Sequence, residues 1–202
     1  RHNEQSLRVV DRLERGGRGL NLTAEVRDGI LCHTGGKQAE TLEGRVVRLA
    51  DRAAYINHDS DDAARAGLLT EAELPREITC ALGDTCSRRI DTITRDVVSE
   101  SAKTGSIAMS PQIHFAFDSF YSFMFENLYK NVRAKSEETK VFGILDGLFG
   151  YYVDNPDKLP DDYGEIARTE GLSRAVCDYI SGMTDTYALY QFDELFIPNA
   201  WR

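Results

Sequence analysis

The chain has 202 residues, with 24 Lys and Arg against 33 Asp and Glu, for a formal net charge of −9. A hydrophobic share of 42% beside 28% charged residues belongs to a globular protein with ample core, and excludes a disordered chain. The acidic balance argues against a protein that mainly grips a phosphate backbone, although a local basic patch stays open.

The sequence opens at Arg1 rather than Met and inside a helical pattern, so it reads as a trimmed chain whose natural beginning is absent. Leu7, Val10 and Leu13 recur at i, i+3 and i+6 and predict an amphipathic helix that Gly16, Gly17 and Gly19 end. Thr23 is the predicted N-cap of a short helix through Ile30, Leu31 and His33, stopped by Gly35 and Gly36. A long helix follows from Thr41 to about Ala66, with Leu42, Val46, Leu49, Ala53 and Ile56 on its apolar face. Pro75 and Gly83 bracket a connection. Helices are expected over residues 86–101, 111–134 and 137–153, with Pro111 suited to a first helical turn. Asn155-Pro156 and Leu159 to Asp162 form a polar loop, a further helix covers about Leu172 to Tyr187, and Pro198 closes the tail. No window alternates with period two, so the fold class is all-α.

No apolar run approaches the roughly 18 residues of a membrane span. The nearest, His114 to Tyr129, is interrupted by Asp118, Ser119, Ser122, Glu126 and Asn127. The four cysteines, Cys32, Cys80, Cys86 and Cys177, contain no C-x-x-C pair and suit free thiols in a reducing cytoplasm.

The long helix carries the most informative cluster. Asp51, Tyr55, His58, Asp59 and Asp62 fall at i, i+4, i+7, i+8 and i+11, which puts them on one stripe. Carboxylates and imidazole suit Mn, Fe or Mg better than a thiolate-bound metal. One helix cannot complete such a site, and the competing reading is a solvated acidic face with Tyr55 packed at its edge. His2, Gln5 and Arg8 in the opening segment could face a phosphate-bearing ligand, or could belong to a frayed terminus. Thr34-Gly35-Gly36-Lys37 lacks the spacing and preceding strand of a phosphate loop. Arg174 and Asp178, at i and i+4, read as a stabilising surface pair. Phe115, Phe117, Phe120, Tyr121, Phe123, Phe125 and Tyr129 crowd one helix, so more than one of its faces is apolar. That suits a core helix better than a subunit interface.

Four stretches in order, His2 to Arg8, Gly19 to Thr23, Leu42 to Asp62 and Arg174 to Ala188, resemble bacterial deoxyguanosinetriphosphate triphosphohydrolases and their HD-domain relatives. The resemblance runs over nearly the whole chain. It implies an HD-domain-like helical bundle truncated at the N-terminus. Residues 1–70 would be the C-terminal part of the catalytic core, and residues 71–202 a helical region packed on it. It implies hydrolysis of a dNTP to deoxynucleoside and tripolyphosphate with a divalent ion (Mn, Mg or Fe) held by a His, a His-Asp dipeptide and a later Asp. By that resemblance Asp51 is the later metal-binding Asp, Tyr55 contacts the sugar, and Asp59 is the acid one turn beyond it. His2 is the histidine near the phosphates and catalytic, and Asn3 binds substrate. The ring of Tyr55 beneath the deoxyribose would leave no room for a 2′-hydroxyl.

His58-Asp59 invites reading as the name-giving dipeptide, but in the family that pair precedes the His2 motif, so His58 receives no metal role. The remaining ligands would lie upstream of Arg1, and a chain with one of four ligands should hold no metal tightly and should not turn over alone. The resemblance also implies a homo-oligomer, with a nucleotide or single-stranded DNA as possible effector. Two other readings stand beside the enzyme: a degenerate helical module for assembly or sensing, and an HD phosphohydrolase that cleaves a different nucleotide phosphate bond.

Overall fold

A computed structural model describes residues 1–130 and 132–198, without the side chains of residues 71 and 132–138. Among the described residues every regular element is helical, as the periodicity predicts, and no helix is long and apolar enough to cross a membrane. The chain divides into two compact units, one of residues 1–14 and 18–131, the other of residues 15–17 and 132–202.

In the first unit, helix α1 (His2–Arg8) continues as a π-helical stretch over Val9–Leu13. The turn after it brings Gly19, at φ 68°, so close to the π-helical stretch that a Cβ there would lie 2.5 Å from the Asp11 carbonyl oxygen. Only glycine fits that approach. Helix α2 (Ala24–Cys32) starts on the predicted cap, with the Thr23 side chain accepting from the Val26 amide. Arg27 reaches back from α2 to grip Asp11 with two hydrogen bonds of 2.8 and 2.7 Å, which hold the Asp11 carboxyl below its ordinary range.

Helix α3 (Leu42–Arg65) is capped by Thr41, whose side chain accepts from the Gly44 amide. Its predicted apolar face is only partly correct. Ala53 and Ile56 are buried, whereas Leu42 and Val46 are exposed. The reason lies at Gly44, where a Cβ would meet the Ala39 Cβ at 2.6 Å and the Gly29 Cα at 3.2 Å. Helices α2 and α3 approach glycine to glycine, and that approach turns the opposite side of the first two turns outward.

The predicted connection between Pro75 and Gly83 is instead a helix, α4 (Arg76–Leu82). Pro75 caps its start, Gly83 at φ 119° ends it, and Ile78 and Leu82 are fully buried on one face. Helix α5 (Cys86–Thr104) begins at the Thr85 cap and ends at Gly105 in the left-handed region. Helix α6 (Pro111–Met124) passes into a π-helical stretch over Phe125–Tyr129; Asn131, within the span expected to be helical, lies outside the described residues.

Phe117 and Phe120 of α6 are buried in the core with Ile56, Ile78, Leu82 and Ile93, which supports the core reading of the aromatic helix. Phe115 and Phe125 face outward. Arg89 is buried entirely in this core. Its Nε donates to Asn57 Oδ1 at 2.8 Å and its guanidinium lies 5.2 Å from the Phe120 ring centroid, so one cation ties α3, α5 and α6 together.

The second unit comprises α7 (Val132–Asp154), α8 (Gly164–Glu170), α9 (Leu172–Ser181) and α10 (Asp185–Phe196), with two short 3-10 turns in the polar loop. Its core is Leu148, Tyr152 and Val176, ringed by edge-on contacts of Tyr152 with Tyr151 and Tyr179. The single helix expected over Leu172 to Tyr187 is two. Gly182 closes the first, and the Thr184 side chain opens the second by accepting from the Tyr187 amide. The Arg174–Asp178 pair is not a surface feature. Asp178 is 0% exposed, and Arg174 Nη2 donates to it at 2.6 Å. The reason is that α9 is buried on both sides, at Val176 and at Ala175, and Asp178 shares the Ala175 side, near Tyr163, a phenol pushed up by burial and then by the Asp178 charge.

Candidate active site

Everything in the candidate site belongs to the first unit, and α3 organises it. Two arginines one turn apart on α3 fasten the loop that follows α2. Arg45 donates to the carbonyls of Ala39 and Glu40, and Arg48 to those of Cys32, Lys37 and Gly35 at 3.1, 2.6 and 2.5 Å. The Thr34-Gly35-Gly36-Lys37 segment therefore turns carbonyls toward a guanidinium, which agrees with its rejection as a phosphate loop.

This clamp leaves a cleft of about 310 Å³ between the loop, α3 and α6. Asp51 and Tyr55 line it from α3, together with Arg48 and Arg52; His33 and Thr34 line it from the loop, and Tyr121 from α6. Asp51 is exposed and is the sole carboxylate among these lining residues. Tyr55 is partly buried and hydrogen-bonded with Tyr121. Burial first, and that bond second, push its phenol up to about 12, so it is a neutral ring wall rather than a base.

Arg52 brings a cation to the rim. Its guanidinium lies 5.3 Å from the Phe117 ring centroid and 5.9 Å from that of Tyr121, with Asp118 Oδ1 at 3.8 Å. A second cleft of about 380 Å³ shares Arg48 and Arg52 and adds Arg45 and His114 above apolar Leu49, Met109 and Phe117. An overall acidic chain thus carries one concentrated basic surface.

Asp59 does not line the first cleft. It accepts a 2.5 Å hydrogen bond from the Tyr129 hydroxyl, delivered from the π-helical end of α6. Burial and then the Asp59 charge push the Tyr129 phenol up, so the proton stays on Tyr129 and the Asp59 carboxylate is held in one orientation. The expected five-residue stripe therefore divides. Asp51 and Tyr55 share the cleft, Asp59 pairs with Tyr129, His58 is exposed, and Asp62 forms an ion pair with Arg65.

His2 meets the site through His33, their Nε2 atoms 3.1 Å apart. Asn3 faces α2 instead, donating to the Leu31 carbonyl at 2.7 Å, while its Oδ1 is buried without a hydrogen-bond partner. Arg48, Arg52 and His33 in the cleft, and Tyr129 beside it, were not expected from sequence. Arg52 directly follows Asp51, and its charge beside a candidate carboxylate was the available signal. Nothing in the sequence marks His33 or Tyr129, because each acquires its role from a partner far along the chain. As a metal centre the set is incomplete. Among the described residues no three His, Cys, Asp or Glu side chains gather closely enough to hold an ion, and Asp51 stands as a single carboxylate.

The family of phosphohydrolase-associated domains matches residues 107–194. That match covers the C-terminal part of an all-helical chain. Over 201 residues and 100% of its length, the chain is 47% identical to the deoxyguanosinetriphosphate triphosphohydrolase-like protein of Caldanaerobacter subterraneus subsp. tengcongensis, of which it covers 59%. It is 44% identical over 210 residues to the protein of the same name from Clostridium tetani, covering 98% of this chain and 60% of that one. For Clostridium perfringens strain 13 the identity is 42% over 208 residues, covering 98% and 61%. The chain spans about three-fifths of the length of these curated relatives. Over its whole length the chain is similar to proteins named deoxyguanosinetriphosphate triphosphohydrolase-like.

Proposed function

We propose that the full-length protein hydrolyses a deoxynucleoside triphosphate to deoxynucleoside and tripolyphosphate. The observation that carries this reading is the cleft itself, where a single carboxylate, Asp51, shares a wall with the Tyr55 ring and the cations Arg48 and Arg52. A triphosphate needs positive charge along its length, and Arg52 has guanidinium surface free to meet it at the rim. A deoxyribose needs a flat apolar wall, and the rings of Tyr55 and Tyr121, both lining the cleft, offer one. His2 is the acid–base group beside the phosphates; Asn3 and Asp59, expected as substrate contacts, instead brace the site from outside the cleft, through the Leu31 carbonyl and the Tyr129 hydroxyl.

The full reaction would call on a divalent ion, Mn, Mg or Fe, for Lewis-acid chemistry. Among the described residues Asp51 would be the one ligand, and the others would come from elsewhere in the full-length protein. A second reading, a helical interaction module, rests on the outward-facing Phe115, which is 69% exposed on an otherwise core helix.

The sugar tests the first reading. The full-length protein turns over dGTP and leaves GTP intact, and Tyr55→Ala, which opens the wall beneath C2′, admits GTP. Equal turnover of dGTP and GTP by the unmodified protein, read by chromatography of the nucleosides, contradicts the assignment of the Tyr55 wall.

A further inference from the structure

We infer that His33 is a positioning residue for His2, holding the His2 ring in the tautomer that carries its proton on Nε2. The inference deepens the proposed phosphohydrolase reading and rests on it for its catalytic consequence, although the pairing itself stands on geometry alone.

His33 Nδ1 lies 2.6 Å from the carbonyl oxygen of Ile30 near the end of α2. A carbonyl oxygen only accepts, so Nδ1 of His33 carries the hydrogen of that bond. In neutral imidazole the other nitrogen is then a bare lone pair, and His33 Nε2 is an acceptor. The atom facing it at 3.1 Å is Nε2 of His2, which must bring the hydrogen. The order of donation is therefore determined from the helix end outward: His2 Nε2–H to His33 Nε2, and His33 Nδ1–H to the Ile30 carbonyl.

Two further features hold this arrangement. Asn3 donates to the Leu31 carbonyl at 2.7 Å, so the first turn of α1 is fastened to the same end of α2 that carries His33. Arg48 donates to the Cys32 and Gly35 carbonyls on either side of His33, fixing the backbone from which the ring projects. His33 also lines the cleft with Asp51 and Tyr55. The His2 ring is thus tethered through its Nε2–H to a residue of the cleft wall. With Nε2–H held by His33, the nitrogen of His2 that exchanges protons is Nδ1: protonated there, the imidazolium could give that proton to an oxygen departing from phosphorus as the P–O bond breaks, and His2 returns to the neutral Nε2–H tautomer. An imidazole that hydrogen-bonds a functional imidazole and is itself oriented by a carbonyl is the usual means of fixing a tautomer.

The test separates the pairing from the reaction. With ¹⁵N-labelled histidine, nitrogen chemical shifts report which nitrogen of each ring is protonated, and His33→Phe and His2→Gln variants assign the two signals. We expect His33 in the Nδ1–H form and His2 in the Nε2–H form. His33→Phe keeps a ring but no acceptor and should shift His2 to a mixture of tautomers; His33→Gln restores an acceptor oxygen and should recover Nε2–H. In the full-length protein His33→Phe should lower kcat about tenfold with KM within about twofold, and His33→Gln should regain part of the rate. A His2 that is Nδ1–H in the unmodified protein overturns the inference, as does a His2 tautomer indifferent to His33→Phe in a variant with an otherwise unchanged amide spectrum. The tautomer measurement needs no substrate, so it decides the pairing even if tripolyphosphate is never formed.

Discussion

Asp51→Ala in the full-length protein stops tripolyphosphate release without weakening triphosphate binding. The two effects part because Asp51 is the sole carboxylate among the residues lining a cleft that also holds Arg48 and Arg52. Removing one negative charge from beside a polyanion favours binding, by about threefold where water screens the interaction. Turnover responds in the opposite sense if Asp51 takes part in the chemistry, and kcat should fall by at least about a hundredfold, the range seen when a group close to a functional metal or imidazole is lost. Asp51→Asn should behave alike, since it keeps the shape and loses the charge. Single-turnover rates beside a binding titration with a non-hydrolysable dNTP read the two quantities separately. A kcat within a few-fold of the parent would make Asp51 one more solvated acid on the face of α3.

The largest stability loss is expected far from that cleft. Arg174→Met removes the guanidinium that donates at 2.6 Å to Asp178, a carboxylate with 0% exposure. Removing a charged hydrogen-bond donor from a fully buried carboxylate is costly, so the variant should lose on the order of 3 kcal/mol. Arg168→Ala in the same unit is the comparison. Its pair with Glu165, 3.7 Å apart with side chains 76% and 80% exposed, should cost little to break. Urea denaturation followed by circular dichroism measures both. Equal, small losses in the two variants would contradict a structural role for the buried pair.

That pair also shows where sequence pattern stops informing. Arg174 and Asp178 at i and i+4 have the same spacing as many surface pairs, and only the burial of the α9 side that carries Ala175 decides that one partner is buried. Caps were more legible, because a cap is a local interaction. Thr23 and Thr41 open helices at the expected places, and Thr184 uses the same chemistry to open α10, with Gly182 just before it as the break. Reading residues 172–187 as one helix set apolar spacing above that pair of signals. Pro75 and Gly83 were noticed but understood as the edges of a connection, when they are the two ends of α4.

In the site, residues one turn apart on α3 were legible together, since helical geometry alone places Asp51 and Tyr55 on one face. The partners that give those residues chemical meaning were not. His33 meets His2 across 31 residues, and Tyr129 meets Asp59 across 70. Contacts of that separation follow from the tertiary fold, where Gly44 against Gly29 and the π-helical end of α6 set the approach.

The central claim is that this cleft belongs to an enzyme that detaches the whole triphosphate from a deoxynucleoside. Phosphorus NMR of the full-length protein incubated with each dNTP and Mn²⁺ or Mg²⁺, singly and as a mixture, tests it most directly. The account predicts the resonances of tripolyphosphate, with deoxynucleoside in equal amount. Orthophosphate or pyrophosphate in its place would contradict it and move the protein to a different phosphohydrolase reaction.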